Sequence, residues 1–211
     1  MSRRDWSEFA LLLIDVQRSF WSEDCAREFP DFADNVERLL GLCRAEGIDV
    51  VHLRALFAPD MSDWMVRYKV RGFIPCVVGT PGSETLPYAR EQPGETVIIK
   101  HTFDGFQNPE LAAHLRRAGK RYVLTAGLIT STCVLFTTAA AMQHGFMATM
   151  VEDCCADDLA AHQSTLSQYP FIFDRIMADQ IPGAYPGWRA ELRALEQLAV
   201  LESPHTEKPD F

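Results

Sequence analysis

Along the chain, short runs of unbroken apolar residues alternate with stretches in which apolar residues recur every three to four positions. FALLLID (Phe9–Asp15) is apolar up to its last residue and predicts a strand covered on both faces. IDVVHLR (Ile48–Arg54), ETVIIK (Glu95–Lys100), RYVLTAG (Arg121–Gly127) and FMATMVED (Phe146–Asp153) predict four more strands, and DRIMAD a short sixth. Between them, FADNVERLLGLCRAEG (Phe32–Gly47) has helical spacing and a glycine stop. NPELAAHLRRAG (Asn108–Gly119) opens on a capping residue with proline at the first turn and also closes on glycine. Thr132–His144 and Asp158–Gln168 read as two further helices.

Buried strands that alternate with helices require crossovers, and right-handed crossovers cover both sides of the sheet. The expected fold is therefore α/β: a doubly wound, mostly parallel sheet of five to six strands with helices on both faces. One domain over residues 1–201 is expected. Residues 55–94 hold most of the prolines and little periodicity, and are expected to form an inserted lid or pocket segment. The polar end ESPHTEKPDF (202–211) is expected to be a disordered tail.

Composition narrows the partners. The chain has 211 residues, 47% of them hydrophobic and 23% charged, as in soluble globular proteins. A formal net charge of -9 disfavours nucleic acid and anionic membrane, which need a basic surface, and leaves a small-molecule substrate as the expected partner. The first apolar run, FALLLI, stops at Asp15 and is too short for a signal or a membrane span, so a cytoplasmic location is expected. Cys25, Cys43, Cys76, Cys133, Cys154 and Cys155 contain no CxxC pair and are expected to be free thiols.

In open parallel sheets, ligands bind beyond the carboxyl ends of the strands. Three chemically useful groups follow those ends: Asp15 after the first strand, Lys100 after the third, and Cys133 after the fourth. Singly, each reads more readily as a turn cap, a solvated lysine or a packed thiol. Together at one edge they form a reactive set. A helix start and a lysine favour the thiolate, so Cys133 is expected to have a depressed pKa. A carboxylate can take the thiol proton and return it to a leaving nitrogen. Backbone N–H groups of the intervening turn can hold an oxyanion. Phe20, Trp21, Phe103 and Phe106 flank this set in sequence and, with Gln17, are candidates for the substrate pocket. Arg54, Arg67 and Arg71 are candidate partners for a substrate carboxylate, weighed against ordinary solvated positions.

The segments LLLIDVQRSF, PGETVIIKHTFDGFQNPELAAHLR, GLITSTCVLFTTAAAMQHGF and MVEDCCADD resemble those of the isochorismatase-like cysteine hydrolases. The resemblance spans about Phe9 to Ala178. It implies a catalytic triad of Asp15, Lys100 and Cys133, and a cis peptide between Leu128 and Ile129. It also implies an oxyanion hole from the N–H groups of Ile129 and Cys133, and a homo-oligomer. It places the first and fourth strands side by side, with the third two places from the first. The metal-binding Asp and two His of nicotinamidases have no counterpart in HLRALFAPDMSDW, where His52 stands alone, so no metal or other cofactor is expected. The implied activity is hydrolysis of a C–N bond in an amide, carbamoyl or ureide group through a thioester. A vinyl-ether hydrolase of the isochorismatase type and a non-catalytic binding module are the alternatives.

Overall fold

The computed structural model describes residues 4–202. The expected tail lies outside the described residues from position 203 on. The described residues divide into two compact units, one ending at Ala178 and one beginning at Asp179.

The first unit is built on a six-stranded sheet of β1 (Phe9–Ile14), β2 (Asp49–Ala55), β3 (Thr96–Lys100), β4 (Tyr122–Leu128), β5 (Met147–Ala156) and β6 (Asp174–Ile176). Its order is β3-β2-β1-β4-β5-β6 and every pairing is parallel. The unbroken apolar runs explain this placement: all of β1 and β4 is buried, as strands covered on two faces require. Ala10, Leu12 and Ile14 share one face of β1, by the two-residue period of a strand, and pack with Leu111, Leu115, Ala140 and Ala141.

Helices α1 (Glu23–Glu28), α2 (Phe32–Glu46), α3 (Val66–Arg71), α4 (Pro109–Arg117), α5 (Leu135–Gln143) and α6 (Leu159–Gln168) surround the sheet. Helix α2 packs on β2 and β5, and α5 on β4 and β5. Local chemistry sets their ends. Asn108 caps α4 by accepting from the Glu110 N–H, with Pro109 in the first turn, and Gly47 closes α2 in the left-handed region at φ 80°.

The sheet order reverses between β1 and β4, which pair from Phe9↔Tyr122 to Ile14↔Gly127. A crevice opens where consecutive crossovers leave in opposite directions, at the carboxyl ends of these two strands. Gly127 permits the close approach there. Its φ is +125°, and a β-carbon on it would overlap the Ile14 carbonyl oxygen.

Two elements depart from the sequence expectation. The helix expected from Thr132 is preceded by a π-helical turn, Thr130–Val134, in which the Val134 N–H reaches back five residues to the Ile129 carbonyl at 3.3 Å. In the second unit, α7 (Ile181–Glu202) carries Pro186 within it, where the sequence shows no clear helical start. Among the described residues, no helix is long and apolar enough to cross a membrane.

Candidate active site

Asp15 is the first residue beyond β1 and has a φ of 50°, unusual for a residue with a side chain. Its N–H still follows the ladder, donating to the Leu53 carbonyl at 2.9 Å, while its Oδ1 accepts from the Ala55 N–H at 2.8 Å. The carboxyl is thereby turned to the crevice edge of the sheet. Lys100, at the end of β3, sends its side chain across β2. Its Nζ lies 2.6 Å from Asp15 Oδ2, 2.9 Å from the Thr102 carbonyl and 3.4 Å from Cys133 Sγ. Cys133 sits in the π-helical turn that follows β4. The three side chains are all buried.

Electrostatics inside this set differ from the sequence expectation for the thiol. Burial pushes the Cys133 thiol upward, and the Asp15 carboxylate pushes it further, against the opposing pull of Lys100. The thiol is thus held protonated, not pre-ionised. The expected depressed pKa considered Lys100 and the helix start but not the buried carboxylate. Burial acts to lower the Lys100 pKa, yet Asp15 and Cys133 outweigh it and hold the ammonium above its ordinary value.

The turn that carries Cys133 is held from the far side by Asp157, just after β5, and by α6. Asp157 Oδ2 accepts from the Ser131 N–H at 2.8 Å and its Oδ1 from the Asp158 N–H at 2.8 Å. Thr130 Oγ1 meets His162 Nδ1 at 2.8 Å. The cap of α6 is the neighbouring Asp158, which accepts from the Ala161 N–H. The peptide between Leu128 and Ile129 is cis.

A cavity of about 170 Å³ opens onto Lys100 and Cys133. Phe20, Phe103, Thr102, Ile129 and Thr132 line it, and the segment after β2 contributes Ala55, Phe57, Met65, Tyr68, Ile74 and Pro75. Of the aromatic candidates, only Phe20 and Phe103 lie in this wall. Trp21 instead stacks on Phe32 with ring centroids 4.8 Å apart. Phe106 is turned into the core, stacked on His144 and tilted against Phe146. Gln17 is buried among backbone groups: its Oε1 accepts from Ala55 N–H at 3.0 Å, and its Nε2 donates to the Ala55 and Ser83 carbonyls at 2.9 Å each. It therefore fastens the segment after β2 to the exit of β1 and does not line the cavity. Phe57, Met65, Tyr68 and Ile74 were not singled out in sequence, because that segment has no periodicity to fix which side chains point inward.

The arginine candidates do not line the cavity either. Arg54 pairs with Glu91, and Arg67 and Arg71 are exposed on α3. His52 is buried and bonded to Glu95 at 2.9 Å, and burial lowers its pKa. Among the described residues, no group of three or more His, Cys, Asp or Glu is arranged to hold a metal ion.

Comparison with known proteins places this geometry in a family. The isochorismatase domain model matches residues 9–169. An uncharacterised isochorismatase family protein, YddQ, from Bacillus subtilis is 30% identical over 149 residues, covering 70% of this chain and 77% of that protein. Maleamate amidohydrolase from Pseudomonas putida is 31% identical over 155 residues, covering 70% of this chain and 72% of that enzyme. Among solved structures, an isochorismatase family protein from Desulfovibrio vulgaris superposes with a TM-score of 0.76 at 26% identity, over 84% of this chain and 97% of its own. With the family match covering most of its length and all six strands in the expected parallel order, the chain belongs to the isochorismatase family.

Proposed function

We propose that this isochorismatase-family hydrolase cleaves a C–N bond of a small molecule through a thioester on Cys133. The observation that carries the reading is the contact of one buried ammonium, Lys100 Nζ, with both the Asp15 carboxylate and the Cys133 sulfur at the wall of a cavity. The similarity to an enzyme named maleamate amidohydrolase supports amide chemistry.

The elevated thiol pKa defines the first step. Cys133 is protonated at rest, so Sγ attacks the substrate carbonyl as its proton passes to Asp15. Lys100 keeps its charge and compensates the negative charge as it moves from carboxylate to sulfur. The carbonyl electron pair moves onto oxygen, and the N–H groups of Ile129 and Cys133 receive that oxyanion. Collapse of the adduct breaks the C–N bond while Asp15 returns the proton to nitrogen, which leaves as ammonia or an amine. Water, deprotonated by Asp15, then attacks the thioester; the acid departs and the thiol is restored.

The test is ammonia release from a panel of small amides, carbamoyl compounds and ureides by the native protein and by Cys133→Ala. Turnover by the native protein alone supports the reading. Equal turnover by Cys133→Ala contradicts it.

A further inference from the structure

We infer that the acyl part of the substrate is uncharged and apolar, about the size of a six-membered ring or a short branched chain, and carries no carboxylate. The inference rests on the proposed amide hydrolysis and narrows it.

The walls provide the first observation. Phe20, Phe57, Met65, Ile74 and Phe103 surround a cavity of about 170 Å³. An engineered apolar protein cavity of about 150 Å³ holds benzene, which sets the scale of the group that fits. These side chains favour an apolar guest and, apart from Thr102, Thr132 and Lys100, offer a charged one little compensation for lost water.

The state of the lining cation provides the second. Lys100 is the one cationic side chain among the lining residues, and an ammonium has three N–H donors. Its Nζ donates to the Thr102 carbonyl at 2.9 Å and to the Cys133 sulfur at 3.4 Å, and its charge is paired with Asp15 Oδ2 at 2.6 Å. A substrate carboxylate must therefore either remain unpaired or take Lys100 from Asp15, which would leave that buried carboxylate without its counter-ion. The arginines nearest in sequence to the cavity wall are engaged or exposed: Arg54 is paired with Glu91, and Arg67 and Arg71 are on the open side of α3.

The shape of the entrance gives a third, independent indication. Phe103 contacts Tyr68 at 6.4 Å between centroids and stacks on Phe136 at 6.1 Å. Phe103 and Phe136 are exposed, so an aromatic surface runs from the cavity wall to the outside. This path gives an apolar guest an aromatic surface from solvent to the cavity.

Matched pairs of primary amides test the inference by equilibrium binding to Cys133→Ala, which binds without turnover, followed by ligand-detected NMR. Benzamide is compared with 4-carbamoylbenzoate, and isobutyramide with succinamate. The neutral member of each pair is expected to bind at least ~100-fold more tightly, the scale of an uncompensated buried charge. Equal or tighter binding of the carboxylate member in either pair overturns the inference, as does failure of both neutral members to bind at millimolar concentration. Should Cys133→Ala not fold, the same pairs are measured as competitors of iodoacetamide alkylation of native Cys133, with the same two outcomes. Binding selectivity is read without catalysis. A protein that discriminates as expected but hydrolyses no amide would therefore retain the pocket assignment and lose the thioester mechanism.

Discussion

Asp15 and Lys100 form an ion pair of 2.6 Å although their strands are not neighbours: β2 lies between β1 and β3. Strands two places apart are separated by about 9.6 Å, so the contact uses most of the lysine side chain. That reach brings the ammonium to the switch point, where the thiol arrives from β4. Burial pushes the Cys133 thiol upward, and within the ion pair the Asp15 carboxylate adds to that push while Lys100 opposes it.

Asp15→Asn separates thiol acidity from turnover. Removing the carboxylate removes an influence that raises the Cys133 pKa while leaving Lys100 in place. Alkylation of Cys133 by iodoacetamide at neutral pH is therefore expected to accelerate in the variant. Amide turnover is expected to fall by ~10²-fold or more, because nothing remains to protonate the leaving nitrogen. The rates of alkylation and ammonia release, measured on the same preparations, check both directions. Alkylation that slows in Asp15→Asn contradicts the assignment.

Asp157 is expected to act as a positioning residue for the turn that carries Cys133, through its bond from the Ser131 N–H. Asp157→Ala leaves the part-buried Ser131 and Asp158 N–H groups without their acceptor, at a cost of about 1 kcal/mol for each lost bond. Asp157→Asn keeps one acceptor oxygen for the Ser131 N–H and gives up the bond from the Asp158 N–H. The expected result is a larger fall in kcat for alanine than for asparagine, with KM little changed in either. Equal kcat in the two variants, both well below native, would show that the charge and not the hydrogen bond matters.

Gly127 fixes the spacing of β1 and β4 beside the site. A methyl group there meets the backbone of Ile14 at a φ of +125°. Gly127→Ala is expected to lose ~3 kcal/mol or more, a fall in Tm of about 6 °C or more. Thermal unfolding of the variant measures this directly, and a native Tm contradicts the packing account.

Glu95 links stability to acid pH. Burial alone would raise its pKa, but Arg44, the Gln92 N–H and His52 outweigh burial and hold the carboxyl at about 2. A depressed carboxylate stabilises the fold fully above its ordinary pKa and loses that contribution as pH falls toward the folded value. The Tm gap between native protein and Glu95→Gln is thus expected to be constant above about pH 5 and to shrink between about pH 4.5 and 2. A gap that widens on acidification contradicts this sign.

The sheet and the Asp15, Lys100 and Cys133 positions were legible in sequence because their signals are local. Strands such as FALLLI and TVIIK are continuous apolar runs; Asp15 follows the first, Lys100 ends the second, and Cys133 lies in the turn after β4. The cavity wall was not legible, because adjacency to a strand exit does not fix which way a side chain turns. Phe103 and Phe106 are three residues apart, yet one lines the cavity and the other stacks on His144. Helix α3 brings Met65 and Tyr68 to the wall, but it is six residues long with no side-chain cap, too short for its period to stand out. The direction of the thiol's shift is not legible in sequence, because it turns on how deeply the sulfur is buried, which spacing does not show. In IPGAYPGW, two prolines and two glycines conceal the start of α7.

The covalent intermediate is the most direct test of the mechanism. Native protein is mixed with a hydrolysed amide, or with the corresponding activated ester to make thioester hydrolysis the slow step, then quenched in acid and weighed intact. The account predicts a mass increase equal to the acyl group, mapped to the peptide containing Cys133 and absent from Cys133→Ala. Turnover with no acyl adduct at Cys133, together with full activity in Cys133→Ser, would contradict it.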